Sequence, residues 1–282
     1  MNKIFLSTAA FPQQPGVETA LEYHKHGIEN AELSGGTFLK NQINLIKEIK
    51  CINFNLHNYF PPPENPFVIN LATQNEKILN LTEKHIFNAI DLAEYLNLKE
   101  YSFHAGFLVD PKPEDLGKTT KAKNFIDREQ GLKTFIKRIE KISNYANKKK
   151  INLLIENNVM KKTSFDYLQR NVALMAQPEE IKSIMNKTPN NVNLLLDVAH
   201  LKVSSNVLNF NLNHALDIID PWVRAYHFSD NNGYDDSNDL IKEDSWFISK
   251  IKNDAIFYTV EVYNKDINKL KKQINIIKQA LK

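Results

Sequence analysis

The strongest constraint on the fold is an apolar segment, residues 151–157, that ends abruptly in a carboxylate. Its first five residues are mostly apolar and show no helical period, and Glu156 and Asn157 follow directly. This pattern is typical of a strand that is buried on both faces and opens at its C-terminal end. A bare buried carboxylate costs on the order of several kcal/mol, so we expect Glu156 to be paired, hydrogen-bonded or bound to a cation.

Short apolar segments alternate with amphipathic helical patterns along the whole chain of 282 residues. The patterns predict strands over residues 3–8, 28–33, 51–57, 101–104, 151–157, 192–196, 224–228 and 255–260. They predict helices over residues 17–24, 38–50, 76–96, 130–147, 212–219, 240–252 and 267–281, and a further one beginning at Pro178. Eight strand and helix pairs with apolar strands predict a single (β/α)8 TIM barrel that forms one domain over residues 1–282.

The composition restricts the class of protein. The single cysteine, Cys51, rules out an intramolecular disulfide and favours a reducing, cytoplasmic compartment; its place at the start of a strand predicts a buried side chain. No segment reaches the roughly 18–20 apolar residues of a membrane helix. The net charge of +3 gives no support for nucleic-acid binding and does not exclude it, since a local basic rim is sufficient. A homo-oligomer is possible, but the sequence shows no interface.

Most of the predicted strands end in histidine, glutamate or aspartate. The residues in question are Glu32, His57, His104, Glu156, Asp197, His200, His227, Asp230 and Glu261. Because all the C-terminal strand ends of a parallel barrel open on one rim, we expect these side chains to converge. Carboxylates and imidazoles without cysteine suit a divalent Mn, Mg, Co or Zn ion, and no organic cofactor is required.

Each of these residues also has a structural interpretation. His57 or His104 alone would be a hydrogen-bonded structural histidine, and Glu32 alone would be a turn or rim residue. Their coincidence at seven strand ends favours a functional site over independent structural roles.

The strand-end motifs as a set resemble the xylose isomerase-like TIM barrel superfamily. They are Leu56-His57, Phe103-His104, Ile155-Glu156-Asn157, Asp197-Val198-Ala199-His200, the run from Tyr226-His227 to Asp230-Asn231-Asn232-Gly233, and Val260-Glu261. The resemblance covers essentially the whole chain, and the Asp-x-x-His and His-x-x-Asp-Asn-x-Gly runs are its more specific parts. This superfamily contains sugar isomerases and epimerases, inosose dehydratases and endonuclease IV.

Similarity to the ketose 3-epimerase and isomerase branch implies a site and a reaction. One divalent ion would be bound by Glu156, Asp197, His227 and Glu261, and His200 would contact a substrate oxygen. Glu156 and Glu261 would also remove and return a proton next to a carbonyl of a small sugar or sugar phosphate. The cation would stabilise the resulting enediolate. Glu32, His57 and His104 are then candidates for substrate binding.

The chain departs from the epimerase branch at two positions. That branch has a glutamate six residues after the first ligand and an arginine six residues after the histidine of strand seven; here Lys162 and Gly233 occupy these positions. Lys162 is therefore a candidate for binding an anionic group of the substrate, such as a phosphate or a carboxylate. Its alternative is an ordinary solvated loop lysine.

Two other functions stay open. His57 and His104 resemble ligands of the zinc-dependent abasic-site endonuclease IV, in which they would hold a second metal instead of binding substrate hydroxyls. The neighbourhood of Asp239 to Lys242, where we place the Asp-x-His pair of that enzyme, contains no histidine. A catalytically silent barrel that binds sugar or a partner protein is the third possibility. The complete set Glu156, Asp197 and Glu261 argues against it, because buried charges are costly to keep.

Overall fold

The computed structural model describes residues 3–115 and 118–282, and within these residues eight parallel strands form one sheet. The strands are β1 Ile4–Ser7, β2 Asn30–Leu33, β3 Asn53–Leu56, β4 Glu100–His104, β5 Asn152–Glu156, β6 Val192–Asp197, β7 Val223–Phe228 and β8 Phe257–Val260. Their order in the sheet is β3-β2-β1-β8-β7-β6-β5-β4. Strands that are neighbours in this order are therefore consecutive in the sequence, except where β1 meets β8.

The barrel closes between β3 and β4 at its C-terminal rim. His57 and Ser102 form a parallel bridge, and the backbone N–H of Asn58 donates to the carbonyl of Ser102 at 2.7 Å. Together with the helices between successive strands, this closure confirms the predicted (β/α)8 TIM barrel.

Helices cover the outside of the barrel. They are α1 Gly16–Lys25, α2 Gln42–Glu48, α3 Glu76–Tyr95, α4 Arg128–Lys148, α5 Lys162–Leu168, α6 Pro178–Met185, α7 Val198–Leu208, α8 Leu212–Ile219 and α9 Ile267–Ala280. The longer ones begin at side-chain caps: Asn75 accepts hydrogen bonds from two backbone N–H groups of α3, and Asp266 does the same for α9. Over the described ranges, no helix combines the length and the apolar character that crossing a bilayer requires.

Four sequence predictions are wrong in detail. Residues 240–252 form no α-helix but a loop with one 3₁₀ turn, Ile248–Lys250, because side chains such as that of Ser245, which accepts from the Lys242 N–H at 2.9 Å, satisfy the backbone locally. The segments of α5 and α7 are helical, although the sequence patterns predicted no helix over either of them. Cys51 is exposed instead of buried.

The lower part of the barrel interior is filled with apolar side chains. Phe5, Leu154, Leu195, Ala225 and Phe257 form a buried cluster between the strands. A TIM barrel is a packed core and not a pore, so polar strand-end groups are reached only from the C-terminal rim.

Candidate metal centre

Eight of the nine polar strand-end residues converge at the C-terminal rim, and they include two groups that could each hold a cation; Asp230 instead pairs with Lys202 and Ser245. Ligand-type atoms of Glu156, Asp197, His227 and Glu261 all lie within 4.8 Å of one another. Those of His57, His104 and Glu156 satisfy the same limit. Glu156 belongs to both groups, so the two share a carboxylate. Glu32 and His200 lie directly beside them.

Glu156 lies at the centre of the cluster and is fully buried. Its Oε2 is 3.1 Å from His57 Nε2 and 3.6 Å from His104 Nδ1. Its Oε1 is 3.2 Å from His200 Nδ1 and 3.8 Å from His227 Nδ1. Within the described residues neither oxygen has a hydrogen bond of good geometry. The carboxylate is therefore compensated by the charge of surrounding imidazoles and keeps acceptor capacity for a cation.

His227 is held between two carboxylates. Its Nε2 lies 3.0 Å from Glu32 Oε1, and its Nδ1 lies 2.8 Å from Glu261 Oε2. Glu32 also accepts a hydrogen bond from Thr259 Oγ1 at 2.9 Å. Histidines that bind metals usually place their second ring nitrogen on a carboxylate in this way, which orients the ring.

Glu32 does not line the cavity in which a substrate would bind. Its side chain is fully buried behind His227, because Glu32 sits in register with Ser7 and Asn55 inside the barrel, below the rim. The sequence identified the residue but not its depth.

Asp197 and His200 share the first turn of α7. Asp197 ends β6 and caps the helix, with Oδ1 accepting from the His200 N–H at 2.6 Å, while its buried Oδ2 has no hydrogen bond among the described residues. His200 Nδ1 is 2.9 Å from the Asn157 carbonyl oxygen. Asn157 also bonds the backbone N–H and C=O of Asp197 at 2.8 and 3.0 Å, which fixes the ends of β5 and β6 relative to each other.

The electrostatics show how the cluster is balanced. Burial raises the pKa of Asp197 to about 7. Burial also opposes the charged form of Glu156, but His104, His227 and His57 hold its pKa well below the usual range. Glu32, Glu156 and Glu261 raise the pKa of His227 well above its usual value, against the effect of burial. Protons on imidazole thus supply positive charge that a divalent ion would supply in their place.

A cavity of about 200 Å³ lies over the cluster. Its polar lining includes His104, His200, Asp236 and Glu261, and Tyr59 and Phe107 are among its aromatic walls. Burial lowers the pKa of His104 to about 4, although Glu156 acts in the opposite direction. Glu261 lines the cavity with its side chain 14% exposed, whereas Glu156 is enclosed by imidazoles.

Lys162 is not brought to the cavity. It is the first residue of α5, its side chain is 52% exposed, and its amine binds both carboxylate oxygens of Asp166 at 2.7 and 2.8 Å. The preceding residue, Lys161, lines the cavity instead with a side chain that is 11% exposed and an amine 3.5 Å from Asp235. A polar loop pattern does not determine which of two adjacent lysines faces inwards.

Sequence reasoning also missed Asp236 and Ser102. Asp236 Oδ2 lies 3.5 Å from His200 Nε2, whereas Asp239, the acid considered from the sequence, is exposed. Ser102 Oγ lies 2.9 Å from His57 Nδ1 and so directs Nε2 of that ring towards Glu156. A lone aspartate in a polar loop and a serine inside a strand carry no sequence signal that distinguishes them from ordinary residues.

Solved structures with the same fold include several epimerases. A D-tagatose 3-epimerase-like protein superposes with a TM-score of 0.73 at 20% identity over 99% of this chain and 97% of its own. A 3-keto-D-glucoside 4-epimerase from E. coli gives 0.66 at 13% identity and 99% of both chains. A D-psicose 3-epimerase from Clostridium cellulolyticum, solved with D-tagatose, gives 0.64 at 12% identity over 99% of this chain and 96% of its own. At such identities the likeness shows a shared fold.

Comparison with curated protein sequences finds no match. A family model described as xylose isomerase-like TIM barrel matches residues 18–271, which is most of the chain. The chain therefore belongs to the xylose isomerase-like TIM barrel family.

Proposed function

We propose that this protein is a divalent-metal-dependent isomerase or epimerase that acts on a small sugar or sugar phosphate. The observation that carries the proposal is the convergence of Glu156, Asp197, His227 and Glu261 within 4.8 Å, beneath a cavity of about 200 Å³. Three proteins with this fold, two named as epimerases and one as epimerase-like, support the same class of reaction.

The donor set fits a borderline or hard cation. Glu156, Asp197 and His227 each keep a buried ligand-type atom without a hydrogen bond among the described residues, and nothing but a cation or protons would satisfy all three together. We assign these three residues and Glu261 as ligands of Mn, Mg, Co or Zn. A bound divalent ion would supply positive charge that stabilises the negative charge developing on the substrate carbonyl oxygen when the adjacent carbon loses its proton.

The proton transfer is assigned to Glu261 and Glu156. Glu261 lines the cavity, so its carboxylate can directly reach the substrate carbon that exchanges its proton. Glu156 would return a proton to that carbon from the side of the metal ligands. His200 and His104 line the same cavity and are assigned to substrate oxygens. Tyr59 and Phe107 would exclude water from the reacting carbon.

Deuterium exchange tests the proposal. Protein stripped with a chelator is reloaded separately with Mn, Mg, Co and Zn, its metal content is measured, and solvent deuterium incorporation into a panel of ketoses and ketose phosphates is followed by mass spectrometry. We expect exchange into at least one substrate and only in reloaded protein. Equal exchange by the stripped and reloaded samples would overturn the metal requirement.

The group formed by His57, His104 and Glu156 specifically favours a second candidate, a zinc-dependent abasic-site endonuclease. There, His57 and His104 would bind a second ion. Cleavage of abasic-site DNA by the zinc-loaded protein, with no deuterium exchange into any ketose, would reverse the ranking of the two functions.

We further propose that residues 1–282 act as one domain in the cytoplasm. The single cysteine supports a reducing compartment. We assign no organic cofactor, because the proposed proton transfer needs only the ion and the two glutamates.

A further inference from the structure

The loop after β7 carries a carboxylate that the proposed proton transfer does not use. Asp236 lines the same cavity as Glu261 and His200. It lies on the wall next to the imidazole of His200 and is held by a different loop from the proposed ligands. The proposed proton transfer by Glu156 and Glu261 assigns no role to Asp236.

The loop that presents Asp236 is braced on both sides. Asp230 and Asp239 exchange two backbone hydrogen bonds, at 3.0 and 2.7 Å, which close the loop at its base. The Asn238 carbonyl accepts from the Tyr263 N–H at 2.9 Å, which ties the loop to the segment after β8. The carboxylate of Asp236 is therefore presented by a braced loop that limits its movement.

One oxygen of this carboxylate lacks a donor. Asp236 Oδ1 is buried and has no hydrogen-bond partner within residues 3–115 and 118–282. Asp236 Oδ2 is 3.5 Å from His200 Nε2, longer than the roughly 2.7–2.9 Å of a tight charge-assisted hydrogen bond. Buried acceptors are normally satisfied, so this carboxylate keeps acceptor capacity for a donor bound in the cavity that Asp236 lines.

We propose that Asp236 is a specificity-determining residue that accepts a hydrogen bond from a hydroxyl group of the substrate. The inference rests on the proposed function, since a polyhydroxylated substrate supplies O–H donors at several carbons. A carboxylate at this place selects sugars that carry a hydroxyl there and rejects the analogue without it, because the acceptor would then stay buried and unpaired. The proposal restricts the substrate to sugars that place a free hydroxyl group next to Asp236 and His200.

The test compares metal-loaded wild type with Asp236→Ala, Asp236→Asn and the control Glu243→Gln, which removes an exposed acid elsewhere in the connection between β7 and β8. For the best ketose of the panel and each of its monodeoxy analogues, kcat/KM is measured by deuterium exchange, and Kd by calorimetry. Metal content and thermal unfolding establish that each variant is folded and loaded. Asp236→Asn keeps an acceptor oxygen of the same size, so it carries the test if Asp236→Ala does not fold.

We expect wild type and Glu243→Gln to discriminate against one monodeoxy analogue by about 100-fold or more. In Asp236→Ala this ratio should fall below about tenfold, because kcat/KM and affinity decrease for the parent ketose but not for the analogue. Asp236→Asn should give a ratio between those of wild type and Asp236→Ala. An unchanged ratio in both Asp236 variants would overturn the inference while the proposed function stands. Wild type that neither binds nor exchanges with any ketose would overturn the proposed function and this inference together.

Discussion

Glu156 is the residue on which the electrostatics of the cluster depend, because each of its two oxygens faces two imidazoles. The sequence predicted that this carboxylate must be compensated, since it follows an apolar strand. Its compensation by four histidines from four other strand ends requires the folded barrel.

Glu156→Gln should leave the barrel folded, reduce deuterium exchange by at least about 100-fold and weaken metal binding at least about tenfold. The amide keeps the size of the side chain but loses the negative charge and the proton-transfer group. Exchange by mass spectrometry, calorimetric metal titration and circular dichroism measure the three effects. Normal exchange in this variant would remove Glu156 from the mechanism.

Metal affinity should rise with pH between 6 and 8, by about tenfold or more per unit below pH 7. Asp197, whose pKa burial raises to about 7, and His227, whose pKa nearby carboxylates raise, must both lose protons to become ligands. Calorimetric titration with Mn at pH 6, 7 and 8, in two buffers of different ionisation enthalpy, measures affinity and released protons. A pH-independent Kd would contradict these ligand assignments.

Among the elements, α7 orients Asp197 and His200, and the loop after β3 orients His57. The helix starts directly at Asp197 without a connecting loop, so one turn holds both Asp197 and His200. The sequence predicted this pair from its Asp-x-x-His spacing but not the helix, because Asp197 to His200 follow the apolar strand directly, with no glycine or proline to mark a helix start. On the β3 side, the Asn58 carbonyl accepts from His85 Nε2 and Tyr101 Oη, both at 2.9 Å, and this fixes the residue next to His57.

His85→Gln should cost about 1–3 kcal/mol of unfolding free energy at pH 7.5 and less at pH 5.5. Burial lowers the pKa of His85, with the hydrogen bond to Asn58 opposing this effect. The stabilisation by neutral His85 is thus complete above the unfolded pKa of about 6.5 and is lost as the pH falls towards the lower folded value. Urea unfolding at both pH values measures the difference. His214→Gln, at an exposed histidine of α8, is the control, and an equal cost of His85→Gln at both pH values would count against the prediction.

For the whole molecule, the proposed ligands come from the ends of four strands, β5 to β8, that are consecutive in the closed sheet. A cation bound there would hold the ends of β5 to β8 together. Because the site exists only in the closed fold, binding would favour the folded state.

Saturating metal should therefore raise the unfolding temperature of the stripped protein. At a free ion concentration about 100 times Kd, the gain is about 2.7 kcal/mol of unfolding free energy. Thermal unfolding across a series of Mn and Zn concentrations measures it, and Lys162→Ala, whose side chain pairs with Asp166 outside the cluster, should show the same gain. No shift with any of the four ions would argue against a metal site.

The amino-acid sequence by itself determined the barrel and the residue types at its rim, because strand burial and helix periodicity leave a repeating pattern that local inspection can read. It also identified Glu156, Asp197, His227 and Glu261, which the structure brings together within 4.8 Å. Only the tertiary structure decided that Glu32 lies behind His227, that Lys161 and not Lys162 lines the cavity, and that Asp236 reaches His200. The physical reason is that depth below the rim and the direction of a loop side chain depend on sheet register and on contacts between distant segments, which no local pattern encodes.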